Sequence, residues 1–135
     1  MATATCASPA PGNSAVARIL VVDDEPDILL LHRLNLENAG HEVLLAADGI
    51  KALERIGVDR PDCVVLDVMM PVLDGWGVLE QKRETGDTTA VIMLSAKAEE
   101  SDIQRAMTLG AREYVVKPFD LDKLVALVAA VLKDG

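Results

Sequence analysis

Polar side chains of the kinds used in phosphoryl transfer follow four separate apolar runs of the sequence. In chain order they are Asp23 and Asp24, then Asp67, then Ser95, then Lys117. Three carboxylates that converged without partners would repel one another and raise each other's pKa, and a divalent cation would relieve that repulsion. Mg²⁺ prefers oxygen ligands and commonly binds one or two carboxylates together with phosphate oxygens. A carboxylate nucleophile, a hydroxyl and a lysine beside such a cation would form a phosphoryl-transfer site, where catalysis is mostly positioning and charge neutralisation.

Each of these residues also has a more ordinary interpretation. An Asp after a strand is often a helix cap or a turn residue, and we favour that interpretation for Asp27 and Asp48. A single Ser commonly faces solvent, and a single Lys-Pro pair is commonly part of a loop. The combination of all these residue types at four strand ends is improbable by chance.

Five short apolar runs are expected to form the strands that position these side chains. They cover residues 19–22, 43–45, 63–66, 90–94 and 114–116. The runs are continuous rather than alternating, which is typical of a parallel sheet covered on both faces. Helices are predicted between and after them, over about 26–39, 49–56, 75–84, 99–109 and 121–132. Pro26 suits a first helical turn, and Gly40 and Gly110 suit helix ends.

Five strand-helix units in this order predict an α/β fold, a doubly wound five-stranded parallel sheet flanked by five helices with right-handed crossovers. Such sheets bind ligands at the carboxyl ends of their strands, near the topological switch point. We expect one domain over residues 18–133. Residues 1–17 carry no charged side chain and are rich in Ala, Ser, Thr and Pro, so we expect a disordered N-terminal tail.

Composition narrows the classes of function. With 13 basic and 22 acidic residues and a net charge of -9, the chain is a poor candidate for direct nucleic-acid binding. The longest apolar run, residues 124–132, is too short to span a bilayer, and no signal-peptide pattern precedes the first strand. Cys63 lies in an apolar run and is expected to be a buried thiol. Since no disulfide or metal-binding cysteine pattern is present, a cytoplasmic location is expected.

Four stretches of the sequence resemble the receiver domain of the bacterial response-regulator family, with its flavodoxin-like fold. They are residues 19–26, 67–75, 94–96 and 110–119, and the resemblance extends over roughly residues 18–133. It implies that Asp67 is the phosphoacceptor and that Asp24 and Asp67 ligate Mg²⁺. Asp23 would act mainly through bound water, and the backbone carbonyl of Met69 would complete the protein ligands.

The resemblance also implies roles for residues around the acids. Ser95 and Lys117 would contact the phosphoryl oxygens, and the Lys117–Pro118 peptide would be cis, as only X-Pro bonds readily are. Ser95 and Tyr114 would act as the conformational switch, the aromatic ring turning inward when the hydroxyl moves toward phosphate. Met69 and Lys97 flank the site, and we expect them to tune the lifetime of the phosphoryl group.

A member of this family would be a phosphoacceptor switch in two-component signalling, assisting its own phosphorylation and autodephosphorylation, rather than an enzyme acting on a separate substrate. The phosphodonor would be a sensor histidine kinase or a histidine phosphotransfer protein. The last predicted helix is apolar on its outer side as well, including Leu127, although a surface helix normally keeps a polar outer face. This pattern suggests homodimerisation or docking of an output partner, while an Ala-rich helix without such a role is an equal alternative.

Other functions fit less well. A haloacid-dehalogenase-type phosphohydrolase would need a second acid two residues beyond the nucleophile, where Met69 stands. A flavodoxin-like cofactor carrier would need a phosphate-binding loop in place of the acidic residues 23–25.

Two interpretations remain open beside the phosphorylated switch. The domain could act by phosphorylation-independent protein contacts, or it could be the regulatory piece of a longer DNA-binding regulator or hybrid kinase. A complete single-domain regulator would need its output to pass through protein contacts.

Overall fold

The computed structural model describes residues 17–134, with no description of the side chain of residue 134, and strands alternate with helices throughout. The elements are β1 (Arg18–Val22), α1 (Pro26–Asn38), β2 (Glu42–Ala46), α2 (Gly49–Asp59), β3 (Cys63–Asp67), α3 (Gly75–Glu84), β4 (Ala90–Ser95), α4 (Glu100–Thr108), β5 (Glu113–Val116) and α5 (Leu121–Asp134). The predicted order of elements is confirmed. The largest differences are at the C-terminal ends of α2 and α5, which continue beyond the predicted residues.

The five strands form one parallel sheet in the order β2-β1-β3-β4-β5. Val22 at the end of β1 is in register with Leu66 of β3, and Asp67 is in register with Leu94 of β4. The chain leaves β1 toward β2 on one side and then crosses to β3 on the other. The switch point therefore lies between β1 and β3, where a doubly wound sheet places its ligand site.

Two apolar layers cover the sheet. One layer contains buried residues of α2, α3 and α4, and the other contains those of α1 and α5. Every residue of β3 is buried, including Cys63, which confirms the interpretation of its continuous apolar run. The thiol of Cys63 has its pKa raised to about 12, chiefly by burial, so it is held protonated at neutral pH.

Local sequence signals explain several helix ends. Pro26 occupies the first turn of α1, and Gly40 follows that helix at φ +98°, a conformation that favours glycine. The side chain of Asp48 accepts a 2.8 Å hydrogen bond from the N–H of Lys51 and so caps α2, as predicted. Asp74 caps α3 in the same way, by accepting a hydrogen bond from the N–H of Gly77.

The predicted N-terminal tail lies outside the described residues, except for Ala17. Ala17 is buried, and its carbonyl accepts a hydrogen bond from the N–H of Glu42. Among the helices within residues 17–134, none is long and apolar enough to cross a membrane.

Candidate functional site

The strand ends bring the predicted site residues to one edge of the sheet. Asp23 directly follows β1, Asp67 ends β3, Ser95 ends β4 and Lys117 directly follows β5. Backbone hydrogen bonds hold this edge together. The N–H of Val68 donates to the carbonyl of Leu94 at 3.0 Å, and the N–H of Lys117 donates to the carbonyl of Ser95 at 2.8 Å.

The three aspartates form one acidic cluster. Asp23, Asp24 and Asp67 each offer a carboxylate oxygen, and these oxygens all lie within 4.8 Å of one another. Asp23 and Asp67 are buried, while Asp24 is exposed and leaves one side of the cluster open to solvent. The Asp23 carboxylate also accepts a 2.9 Å hydrogen bond from the N–H of Glu25, which fixes the turn that leads into α1.

Burial is the main cause that raises the pKa of Asp23 from 3.8 to about 6, and the negative charge of Asp67 adds to it. The N–H of Glu25 and the charge of Lys117 oppose this rise without cancelling it. The cluster sets three carboxylates against the ammonium of Lys117, so this group of four side chains is acidic as a whole. An oxygen-only donor set with such excess charge and one solvent-facing acid fits a hard divalent cation such as Mg²⁺.

Lys117 contacts the acidic cluster directly. Its Nζ donates a 2.5 Å hydrogen bond to Oδ1 of Asp67, whose side chain is 6% exposed. The following peptide bond, Lys117–Pro118, is cis, as predicted. The ammonium thus lies where it could also contact an oxygen of a group attached to Asp67.

The loop after β4 connects the two predicted switch residues. The hydroxyl oxygen of Ser95 accepts a 3.1 Å hydrogen bond from the N–H of Lys97. The hydroxyl of the half-buried Tyr114 donates a 2.8 Å hydrogen bond to the carbonyl oxygen of Lys97. The backbone of Lys97 is therefore bonded to both side chains, so a movement of either one would be felt by the other.

The two predicted tuning residues lie at the solvent-facing side of the site. Met69 is 72% exposed in the loop after β3, and the side chain of Lys97 is exposed in the loop after β4. Neither contributes appreciably to the core, so both are free to contact an attacking water or an incoming donor.

Three glycines pack closely against the loop after Asp67, and this packing could not be recognised from the sequence. A Cβ atom added at Gly49 would lie only 2.2 Å from the carbonyl oxygen of Leu73. A Cβ atom added at Gly77 would lie 2.3 Å from the side chain of the same Leu73. A Cβ at Gly75 would lie 2.8 Å from the carbonyl oxygen of Asp67. Three glycines thus let α2 and α3 approach the loop that follows the candidate phosphoacceptor.

His32 was also missed as a neighbour of the site. It is buried in α1, with its ring centroid 6.1 Å from that of Phe119. Burial, and secondarily the charge of Lys117, lowers the pKa of His32, which favours the neutral imidazole. Its position three residues after Leu29 and four before Leu36, both buried, is the helical spacing that could have identified it.

The sequence matches the family model described as response regulator receiver domain over residues 19–129. Among curated proteins, it is 44% identical over 116 residues to the alkaline phosphatase synthesis transcriptional regulatory protein PhoP of Bacillus subtilis, covering 86% of this chain and 48% of that protein. It is 46% identical over 116 residues to response regulator MprA of Mycobacterium ulcerans, covering 86% of this chain and 50% of that protein. The chain spans about half the length of these curated relatives.

Solved structures agree in fold. The receiver domain of a Francisella response regulator superposes with a TM-score of 0.85 at 33% identity, covering 87% of this chain and 98% of that one. Chemotaxis protein CheY4 of Vibrio cholerae superposes with a TM-score of 0.80 at 32% identity, covering 87% and 99% of the two chains. The matched family, the sheet order and the acidic strand ends lead to one conclusion: the chain belongs to the response regulator receiver domain family of two-component signalling proteins.

Proposed function

We propose that Asp67 accepts a phosphoryl group in a Mg²⁺-dependent reaction and that the acyl phosphate switches the conformation of the domain. The observation that carries this proposal is the arrangement of three carboxylates within 4.8 Å of one another, with the ammonium of Lys117 bonded to one of them. A histidine on a sensor kinase or on a phosphotransfer protein is the donor we expect, as for other members of the family.

In the transfer step, a carboxylate oxygen of Asp67 attacks the phosphorus of the donor phosphohistidine. The new O–P bond forms as the P–N bond breaks, and the electron pair of that bond stays on the donor imidazole. Mg²⁺, when bound, supplies neutralisation of the charge on the phosphoryl oxygens. Asp23, Asp24, Asp67 and the carbonyl of Met69 are the residues that would hold it.

Lys117 and Ser95 are the residues proposed to contact the transferred group. The ammonium of Lys117 already lies at Asp67 and needs only to move from the carboxylate to a phosphoryl oxygen. The hydroxyl of Ser95 can donate its proton to another phosphoryl oxygen, because a hydroxyl whose oxygen accepts a hydrogen bond, here from the N–H of Lys97, still has one proton to donate. The buried position of Asp67 strengthens both interactions.

The switch follows from the same contacts. If Ser95 moves toward a phosphoryl group, its hydrogen bond with Lys97 changes, and with it the carbonyl to which Tyr114 donates. The free energy of the new phosphoryl contacts would bias a two-state equilibrium that involves the loop after β4, α4, β5 and α5. Met69 and Lys97 would set the phosphoryl lifetime, the first by hindering an attacking water and the second by its charge.

Output through α5 is part of the proposal, and its surface limits what that contact can be. Leu124, Val128 and Val131 are buried, and Val125, Leu127 and Leu132 are partly buried against the same core. The exposed apolar residues of the helix are Ala126, Ala129 and Ala130. A homodimer or an output partner would therefore contact a shallow surface of small side chains. A charge introduced at Ala130 that left association unchanged would contradict a role for α5 in it.

A longer regulator is a second reading of the same domain. It is favoured by the fact that the chain spans about half of its curated relatives, one of which is named a transcriptional regulatory protein. In that reading the domain regulates an output segment, and any DNA binding belongs to that segment.

The proposal is tested by the intact mass of the chain after incubation with acetyl phosphate, with and without Mg²⁺. We expect one phosphoryl adduct that requires Mg²⁺, is absent in Asp67→Asn and is retained in Asp122→Asn, which changes an acid in the first turn of α5. If the parent takes up no phosphoryl group from acetyl phosphate or from a purified histidine kinase, the domain acts instead by phosphorylation-independent contacts.

A further inference from the structure

Among the helices that the structure describes, α4 is the one least anchored by the core. Of its nine residues, Ala106 alone is buried, and alanine offers little apolar surface. By contrast, α3 buries Val78 and Leu79 among others. Since burial of apolar surface is the main force that fixes a helix on a sheet, the position of α4 must depend more than usual on polar contacts with its neighbours.

Those contacts come from α3. The guanidinium carbon of Arg105 lies 4.3 Å from the ring centroid of Trp76, and its Nη2 lies 3.6 Å from Oε2 of Glu80. Further along, Nη1 of Arg83 donates a 2.9 Å hydrogen bond to the carbonyl of Thr108, the last residue of α4. The cation–π contact and the ion pair converge on one α4 side chain, and the hydrogen bond holds the end of the helix.

The other end of α4 is connected to the switch. The chain runs from Lys97, whose backbone is bonded to Ser95 and Tyr114, to the first turn of α4 at Glu100. A displacement of Lys97 toward the phosphorylated site would therefore pull on a helix that α3 holds back. Because Arg105 makes the side-chain contacts of α4 with Trp76 and Glu80, a movement of α4 would strain or break those contacts first.

We propose that Trp76, Glu80 and Arg105 form an autoinhibitory strap that holds α4 in its resting position and opposes the phosphorylated conformation. The restraint itself is independent of phosphorylation, whereas the opposition to switching rests on the proposed function. A cation–π contact and an exposed ion pair are individually weak, so release of the strap should favour the switched state by about three- to tenfold.

The experiment compares the parent chain with Arg105→Gln, and uses Arg33→Gln as the matched control. Arg33 makes a 3.1 Å ion pair with Glu37 within α1, so its replacement removes an exposed arginine ion pair without touching α4. The first measurement is hydrogen exchange of the α4 amides in the unphosphorylated proteins. The second is the beryllofluoride concentration that half-saturates each protein in the presence of Mg²⁺, read from the bound fluorine signal in NMR.

We expect Arg105→Gln to accelerate α4 exchange and to lower the half-saturating beryllofluoride concentration by about three- to tenfold, while Arg33→Gln changes neither. Glu80→Gln removes the ion pair but leaves Arg105 on the ring of Trp76, so it should lower the half-saturating concentration by a smaller factor.

Unchanged α4 exchange in Arg105→Gln would show that no strap exists. Faster exchange with unchanged half-saturation would show that the contact does not oppose switching. Failure of the parent itself to bind beryllofluoride would instead contradict the proposed function, and the exchange data would still decide whether Arg105 restrains α4.

Discussion

Nζ of Lys117 lies 2.5 Å from Oδ1 of Asp67, so the lysine is bonded to the carboxylate that is proposed to accept the phosphoryl group. The same carboxylate belongs to the acidic cluster that could hold a cation. The ammonium of Lys117 and a bound divalent cation would therefore both neutralise the carboxylate of Asp67, and the two positive charges would oppose each other there. The ammonium partly neutralises the cluster, and in the proposed transfer step it would move to the phosphoryl oxygens.

Replacement of Lys117 should separate these two effects. In Lys117→Gln the cluster loses its nearest positive charge, so we expect Mg²⁺ to bind about three- to tenfold more tightly. Uptake of the phosphoryl group should nevertheless slow by about 10²-fold, because a charged contact to the transferred oxygens is lost. Calorimetric Mg²⁺ titration and intact mass over time measure the two quantities. Lys133→Gln, at the far end of α5, is the control, and a loss of Mg²⁺ affinity in Lys117→Gln would contradict the competition.

The raised pKa of Asp23 predicts opposite effects of pH with and without Mg²⁺. Its folded-state pKa of about 6 exceeds the ordinary value of 3.8, so the folded chain binds this proton more tightly than the unfolded chain. Without Mg²⁺, the contribution of Asp23 to stability should increase as the pH falls from about 7 to about 4, by about 1 to 3 kcal/mol in total. The stabilisation by added Mg²⁺ should decrease over the same range, because protonation of Asp23 competes with the metal.

Thermal melts across this pH range test both effects, with Asp23→Asn as the comparison. The variant lacks the titrating carboxyl, so we expect it to be more stable than the parent at neutral pH without Mg²⁺ and to lack this part of the pH dependence. Its neutral oxygen can still accept the hydrogen bond from the N–H of Glu25. Parallel stability curves for the two proteins would show that Asp23 is not the responsible group.

Two glycines of α2 should respond to alanine with opposite signs. At Gly49 an added Cβ would lie 2.2 Å from the carbonyl oxygen of Leu73, so Gly49→Ala must displace the loop after Asp67 and should cost about 1 to 3 kcal/mol. At Gly57 an added Cβ meets nothing within 4 Å, so Gly57→Ala should stabilise the helix by about 0.5 to 1 kcal/mol. Urea unfolding of the two variants gives the signs directly. A slower phosphoryl uptake in Gly49→Ala alone would connect this packing to the site.

The sequence was sufficient to predict where the site residues stand, because the rule that links them is topological. In a parallel sheet the carboxyl ends of all strands lie on one edge, so Asp67 and Lys117 could be brought together from strand order alone, although they are 50 residues apart. The alternation of apolar runs with helical segments carried enough information for that order. Helix ends were less accurate because they depend on local capping, as at Arg60, which ends α2 at φ +51°.

Contacts between neighbouring helices could not be predicted in the same way. The stacking of Arg105 on Trp76 depends on how α3 and α4 lie next to each other on one face of the sheet, which no spacing in the sequence encodes. The approach of Gly49 to Leu73 similarly joins two segments that share no motif. These contacts depend on differences of a few tenths of an ångström in how closely the elements pack, whereas the pattern of apolar residues determines only the order of the elements and the faces that they bury.

Met69 and Val72 allow the proposed tuning role to be tested within one loop. Both are apolar and largely exposed, at 72% and 80%, but only Met69 lies two residues beyond Asp67. We expect Met69→Asn to shorten the lifetime of the phosphoryl adduct several-fold, because an amide at this position can bind and orient the attacking water that the thioether hinders. Val72→Asn should leave the lifetime unchanged, and it should fold well because Asn tolerates the positive φ of 71° at that position better than a β-branched residue does. The loss of the adduct mass with time, after removal of acetyl phosphate, measures both. Equal lifetimes in the parent and Met69→Asn would exclude Met69 as a determinant of dephosphorylation, and an equal shortening in both variants would assign the effect to loop polarity rather than to the position next to Asp67.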